Sequence, residues 1–346
     1  MEDIKNYSLK ELKDLLQKAG FAGFCAEQVF GWVYQKRVED FKLMTNLSQS
    51  LRRYLDKEFY LSRLKILKKE VSADGTQKFL FELSDKNTIE AVFIPEKERS
   101  TLCLSTQVGC KYKCSFCQSG KSGFKRNLAP AEIINQYIAV GNRQACSLPI
   151  TASKITNIVF MGIGEPLDNF DNVVKSINIF AEPKGIAFSR RRISLSTCGL
   201  VPEIKKLADL KLGIKLSISL HSADDSERSK LMPINKIYPL KELIKAAKFF
   251  NQKEKYPITF EYALIRGYNT KKEDVHKLAR LLKGLECKLN LIPLNCPSGQ
   301  FKEPLAEETE SFKQELKKTG LFFTLRKSRG QDIQAACGQL RANCGV

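Results

Sequence analysis

Between Gly109 and Cys117 the chain reads Gly-Cys-Lys-Tyr-Lys-Cys-Ser-Phe-Cys, which places Cys110, Cys114 and Cys117 in a C-x3-C-x2-C spacing. Thiolates are soft ligands suited to iron–sulfur clusters and to zinc. No fourth cysteine or histidine follows within a few residues, and the chain runs at once into a Gly- and Lys-rich stretch. Three thiolates can hold three irons of a four-iron cluster and leave the fourth open to a ligand. A zinc site completed by a distant Cys or His is the alternative that this spacing leaves standing.

The elements around this stretch repeat as strand, loop, helix. Apolar runs predict strands over Thr101 to Thr106, Asn157 to Gly162, Arg192 to Ser196, Ile214 to Leu220, Ile258 to Ile265 and Lys288 to Pro293. Helical spacing separates them over Pro130 to Val140, Asp171 to Phe180, Pro202 to Leu210, Leu240 to Asn251 and Lys272 to Lys283. A last helix, Glu307 to Thr319, and a last strand, Leu321 to Arg326, follow. Six such repeats predict an α/β fold with a parallel sheet, open or curled into a partial (β/α)6 barrel. Most candidate strands end in polar or glycine-rich residues: the cysteine motif, Met161 to Pro166, Ser196 to Gly199, Ser219 to His221, and Leu294-Asn295. Active sites of parallel β/α folds sit at strand C-terminal ends, so a cofactor is expected there.

Residues 1–95 read differently. Ser8-Leu9-Lys10-Glu11 is a capping box, and Gly20 is placed to stop the helix it starts. Helices are expected over Ala26 to Gln35 and Ser50 to Phe59, then strands over Leu64 to Val71, Lys78 to Leu83 and Thr88 to Ile94. This predicts a small N-terminal α+β accessory domain over 1–95 that contacts RNA, ahead of a catalytic domain over 96–346. The formal net charge of +19 over 346 residues is spread in clusters such as Lys121 to Arg126 and Arg190 to Arg192. Such a balance fits a polyanionic partner, and nucleic acid rather than an acidic membrane, since no amphipathic anchor stands out. No apolar run approaches the roughly 20 residues of a membrane span, and no secretory signal opens the chain, so the expected location is cytoplasmic. Eleven cysteines in that compartment read as metal-binding or catalytic before they read as disulfides. Cys25, Cys146, Cys198 and Cys287 read as small buried hydrophobes.

The cysteine spacing, with Phe116 directly before Cys117, resembles the signature of the radical S-adenosylmethionine superfamily. Ile89 to Glu96, Gly123 to Leu128, Met161 to Pro166, Ser196-Thr197, Ser219 to His221, Met232 to Asn235, Asn290 to Pro293 and Ala336 to Leu340 extend that likeness in order along the chain. Together they resemble the RlmN-like RNA adenine C2-methyltransferases, whose close relatives are the Cfr-like C8-methyltransferases. The resemblance implies a radical-SAM barrel, a 4Fe-4S cluster on Cys110, Cys114 and Cys117, and two S-adenosylmethionine molecules per turnover. It implies cofactor contacts at Gly164, Glu165, Ser196, Ser219, Leu220, His221 and Asn295. Physically, glycines let backbone approach a ligand, and Glu165 can accept from an ammonium group.

The resemblance also gives meaning to two cysteines that would otherwise read as core: Cys337 becomes S-methylated, Cys103 resolves it, and Glu90 accepts a proton. Carbon 2 of adenine is electron-poor and does not attack a methyl cation equivalent, so the family's route methylates Cys337 and activates that methyl group by a radical. A covalent protein–RNA adduct then forms, and attack by Cys103 on Cys337 releases the product and leaves a disulfide. The implied partners are 23S ribosomal RNA, with transfer RNA as a second candidate, and a flavodoxin- or ferredoxin-like reductant, acting on a monomer. Gly-Glu-Pro at 164–166 matches the C2 form. The rivals are a Cfr-like C8-methylating enzyme and a non-enzymatic RNA-binding protein with a structural metal. The run Cys296-Pro-Ser-Gly-Gln-Phe301 departs from the family pattern, and Cys198, Cys296 and Cys344 have no role in it.

Overall fold

The first helix forms where its cap chemistry requires. Ser8 Oγ accepts from the Glu11 backbone N–H at 3.3 Å, and Glu11 Oε2 accepts from the Ser8 backbone N–H at 2.8 Å. These bonds open α1 (Leu9–Lys18), whose Leu12 and Leu16 are fully buried. The computed structural model describes residues 1–141, 154–294 and 301–341. The helix expected over Ala26 to Gln35 is instead α2 (Phe24–Phe30) followed by a five-residue π turn, Gly31–Gln35. In that wider turn Lys36 N–H donates to Gly31 O at 3.0 Å, and the consecutive side chains Val33 and Tyr34 are both buried. Helix α3 (Gln49–Glu58) completes the helical unit, with Leu51 and Leu55 inward.

One ten-stranded sheet follows, with its strands lying side by side in sequence order. β1 (Lys65–Val71), β2 (Gln77–Glu82), β3 (Thr88–Pro95) and β4 (Ser100–Cys103) run antiparallel. From β4 onward all neighbours are parallel: β5 (Asn157–Phe160), β6 (Ile193–Thr197), β7 (Lys215–Ser219), β8 (Ile258–Leu264), β9 (Cys287–Pro293) and β10 (Phe323–Leu325). The N-terminal ribbon is thus continuous with the parallel strands: Val92 of β3 pairs with Cys103 of β4, which pairs with Val159 of β5.

Parallel neighbours need crossovers, and helices supply them. They are α4 (Pro130–Val140), α5 (Phe170–Ala181), α6 (Val201–Leu210), α7 (Asp225–Leu231), α8 (Leu240–Lys253), α9 (Lys272–Leu282) and α10 (Ala306–Lys318). Each long helix buries one stripe; in α8 this is Leu243, Ala246, Ala247 and Phe250. The strands answer with Phe160, Leu195, Leu216, Phe260 and Leu291, all fully buried. Each such side chain contributes about 1.5–3 kcal/mol over its exposed state. Helix α7 is short and polar apart from Leu231, and no sequence period announces it.

The first parallel strand stops at Cys103, three residues short of the expected Thr106. Its continuation, Gln107–Gly109, pairs instead with Phe124–Asn127 in a separate two-stranded ribbon that brackets the cysteine loop. Gly109 has φ +77°, and a Cβ there would lie 1.7 Å from the Gly123 carbonyl oxygen. Only glycine lets the two strands meet at the mouth of the loop.

Candidate active site

The three cysteines, the ends of the parallel strands and the segment around Cys337 line one cavity. The cysteine loop is held from two sides. Cys110 N–H donates to Gly123 O at 2.9 Å, while Ser115 N–H and Oγ–H both donate to Leu231 O at the end of α7, at 2.9 and 3.2 Å. Burial pushes the Cys110 thiol up to about 12 and the Cys114 thiol well above its ordinary range, and the neighbouring cysteines add to both shifts. Buried thiols of this kind ionise readily only beside a strong positive centre, as a metal cluster provides. Among the described residues, no three His, Cys, Asp or Glu side chains converge closely enough to hold a single ion. The donor set is three soft thiols along one wall of a largely apolar cavity, which suits an iron–sulfur cluster better than a lone zinc ion.

The β5 end lines the same cavity, with Glu165 close enough to act electrostatically on Cys110 and Cys114. Gly164 has φ +101°, and a Cβ on it would fall 2.5 Å from Gln107 Cβ. The next residue, Glu165, is 4% exposed. Its Oε2 accepts from Cys198 N–H at 2.7 Å and its Oε1 from Leu167 N–H at 3.0 Å. Burial nonetheless holds its carboxyl above the ordinary range. A fixed, partly desolvated carboxylate of this kind binds an ammonium group strongly. Ser196 and Ser219 line the cavity at the ends of β6 and β7. Leu220, expected at the cofactor, is instead buried behind the wall and does not line the cavity; its N–H donates to Glu261 O at 2.9 Å.

His221 lines the cavity in the left-handed region, with φ +56°. Its Nδ1 accepts from Ala263 N–H at 2.9 Å, and its ring stands edge-on to Phe116 at 4.8 Å. Burial, with Arg228 adding to it, pushes the imidazole down to about 3, so His221 is neutral. Asn295 lies outside the described residues, as do Cys146, Cys296 and Cys344.

Cys103 and Cys337 also reach the cavity. Both are free thiols here, Cys103 buried and Cys337 exposed. Burial pushes Cys103 up to about 12, and Cys337 raises it further while Arg326 opposes. The Cys337 segment is docked at both ends. Asp332 accepts from Ser72 Oγ–H at 2.6 Å and Ala73 N–H at 3.1 Å, on the turn between β1 and β2. Past the cysteine, Gly338 O accepts from Gln118 N–H at 2.7 Å and Leu340 O from Ser119 Oγ–H at 2.9 Å, directly after the third motif cysteine. Glu90 is 3% exposed and sits outside the cavity wall formed by the described residues. Its Oε2 accepts from Arg341 N–H at 2.9 Å and its Oε1 lies 3.5 Å from Lys78 Nζ, so it anchors the far end of the same segment.

Several wall residues escaped sequence reasoning. Glu261, in the middle of β8 between buried Phe260 and Tyr262, accepts from Ser196 Oγ–H at 3.2 Å. A carboxylate in so apolar a run was the available signal. Arg326 follows β10 and interacts electrostatically with Cys337, Glu261 and Cys103; within a basic run it carried no distinguishing mark. Cys198, read as a core thiol, is buried but touches the cavity.

Comparison with known proteins matches residues 104–282 to the Radical SAM superfamily and residues 2–61 to the ribosomal RNA large subunit methyltransferase N-terminal domain. The chain is 45% identical over 343 residues to a probable dual-specificity RNA methyltransferase RlmN of Caldanaerobacter subterraneus subsp. tengcongensis, covering 99% of this chain and 98% of that protein. It is 43% identical to the dual-specificity RNA methyltransferase RlmN of Nitratiruptor sp., covering 95% and 96%. A crystal structure of a radical SAM methyltransferase from Sphaerobacter thermophilus superposes with a TM-score of 0.91 at 40% identity, covering 99% of each chain.

Proposed function

Because the chain belongs to the RlmN family of radical S-adenosylmethionine RNA methyltransferases, we propose that it methylates carbon 2 of an adenosine in 23S ribosomal RNA, with transfer RNA as a second substrate. The observation that carries this reading is the shared cavity: the three motif thiols and the Cys103–Cys337 pair line one chamber at the strand C-terminal ends. Cys110, Cys114 and Cys117 would hold the 4Fe-4S cluster. Gly164, Glu165, Ser196, Ser219 and His221 would hold S-adenosylmethionine, with Asn295 and Leu220 assigned to it on the resemblance alone. When bound, the two cofactors supply a methyl group and one-electron hydrogen abstraction, with two S-adenosylmethionine molecules used per turnover.

The chain's own residues do the rest. Cys337, the exposed thiol of the pair, loses its proton and takes the methyl group on Sγ. That carbon, after losing a hydrogen atom, bonds to the adenine ring, so Cys337 carries the RNA covalently. Once the ring has lost its proton, and the adduct its odd electron back to the cluster, Cys103 gives up its own proton and attacks Cys337 Sγ. An S–S bond forms, the Cys337 carbon–sulfur bond breaks, and its electron pair takes up a proton to complete the methyl group of the product. Glu90 serves this scheme by holding the segment that bears Cys337, and its raised carboxyl suits it to take up a proton as well. Residues 1–95 are assigned to RNA contact. A flavodoxin- or ferredoxin-like protein would supply electrons.

Mass spectrometry of adenosine isomers from modified RNA tests the product: 2-methyladenosine is expected, and 8-methyladenosine would move the chain to the Cfr-like activity. Cys337→Ala should abolish methylation, and Cys103→Ala should accumulate protein crosslinked to RNA. Full activity in Cys337→Ala would overturn the scheme.

A further inference from the structure

Among the largest fully buried side chains of the described residues, Arg228 is the charged one, with 0% exposure. It projects from the middle of α7 into the space behind the strand ends. Nε donates to Leu220 O at 3.1 Å, Nη1 to Asn235 Oδ1 at 2.8 Å, and Nη2 to Cys198 O at 2.9 Å and Ser219 O at 2.8 Å. Every acceptor is neutral. Asp225 on the same helix is occupied elsewhere, accepting from Asn235 Nδ2–H at 2.9 Å and Leu240 N–H at 2.8 Å. No carboxylate forms an ion pair with Arg228 among the described residues. Its hydrogen bonds are satisfied, but its charge has no ion-pair partner, and a buried charge left uncompensated is strongly unfavourable.

Besides Asp225, which acts on it more weakly than the thiols and without an ion-pair contact, the groups nearby that can turn negative are thiols of the cavity. Arg228 interacts electrostatically with Cys198 and Cys114, and burial lowers its own guanidinium only to about 10, so it stays charged at neutral pH. Its helix is also the one that grips the cysteine loop, through Leu231 O and Ser115. A cluster on three thiolates carries net negative charge, and one added electron makes it more negative. In a low-dielectric interior, a fixed cation favours that added charge.

We propose that Arg228 is the buried counter-cation of the iron–sulfur cluster, a positioning residue that anchors α7 behind the cysteine loop and raises the cluster's reduction potential. This rests on the assignment of the cluster to Cys110, Cys114 and Cys117. Hydrogen bonding and local charge are recognised determinants of cluster potential.

The test uses full-length protein reconstituted anaerobically with iron and sulfide, with iron and sulfide counted per chain. A mediated dithionite titration, followed by electron paramagnetic resonance and run without RNA, then reads the potential. Arg228→Gln should shift the midpoint negative by at least a tenfold change in the reduction equilibrium constant, about 59 mV for one electron. Arg228→Lys, which keeps the charge and loses the fork, should titrate close to wild type. Equal potentials for wild type and Arg228→Gln, or an equal shift in both variants, overturn the proposal. Cluster uptake lost in both variants would make Arg228 a scaffold residue alone and overturn it too; uptake lost only in Arg228→Gln supports it. If wild type takes up no cluster, or the Cys110→Ala, Cys114→Ala, Cys117→Ala triple variant takes up as much, the cluster assignment itself fails, a result separate from an unchanged potential.

Discussion

Cys103 and Cys337 face the same chamber in opposite states of readiness. Burial keeps Cys103 protonated at neutral pH, pushed up to about 12, whereas Cys337 is exposed. Iodoacetamide labelling of the protein free of cofactors at pH 8, read by peptide mass spectrometry, should therefore modify Cys337 well before Cys103. Equal labelling rates would show that Cys103 is not protected as its burial requires. His221 gives a pH prediction. Its folded-state value is about 3 against an ordinary 6.5. Above about pH 6.5 neither the folded nor the unfolded form is protonated, and the group has no effect. Below that, the unfolded chain binds a proton that the folded one refuses, so stability falls as pH falls toward 3, with a slope of up to about 1.4 kcal/mol per unit. Urea melts between pH 6.5 and 4.5 should show this slope, and His221→Gln should flatten it. The motif cysteines, Glu165 and His221 were legible because their spacing and strand-end positions are local facts of the sequence. Glu261, Arg326 and Arg228 were not, because what sets them apart is the set of neighbours that only the folded sheet and its loops bring around them.

Long periodic elements were the readable ones. The parallel strands and their helices bury whole stripes, and the helix over Pro130–Val140 has the bounds its sequence predicts. Short elements depend on their neighbours instead. The three-residue strand at Gln107–Gly109 exists because Phe124–Asn127 pairs with it, and α7 is held by Arg228 and Leu231 rather than by propensity. The Cys337 segment belongs to this second group. It has no regular structure, and its placement depends on Asp332 at one end and on Gln118, Ser119 and Glu90 at the other. If Cys337 takes the methyl group as proposed, Asp332→Ala should slow that transfer several-fold while leaving the melting temperature and S-adenosylmethionine binding near wild type. A measurement of S-methylcysteine formation under single turnover checks this. An unchanged rate would mean that the bonds to Gln118, Ser119 and Glu90 suffice.

At the scale of the molecule, charge and topology carry the consequences. With a net charge of +19, affinity for RNA should fall steeply with salt, as phosphate contacts release counterions. Exposed Lys111 and Lys113 flank the motif cysteines in the chain. If they contact phosphate, replacing both with Ala should reduce the slope of log K against log salt by about 1 to 2, as fluorescence anisotropy would read it. A slope unchanged in that variant would move the RNA path elsewhere. Charge was legible from composition alone; which lysines face the substrate was not, since that requires the fold. The order of the ten strands bears on how the chain is made. Each strand pairs with the one synthesised before it, so the emerging polypeptide can extend its sheet from the N-terminal ribbon onward without leaving a gap for a later strand to fill. Residues 330–341 are the exception. They dock on the β1–β2 turn and just after the cysteine loop, 260 and 221 residues earlier in the chain. A chain cut before residue 330 would thus keep all three proposed cluster ligands while lacking Cys337, the sulfur proposed to take the methyl group, so cluster assembly and methyl transfer are separable by where the chain is cut.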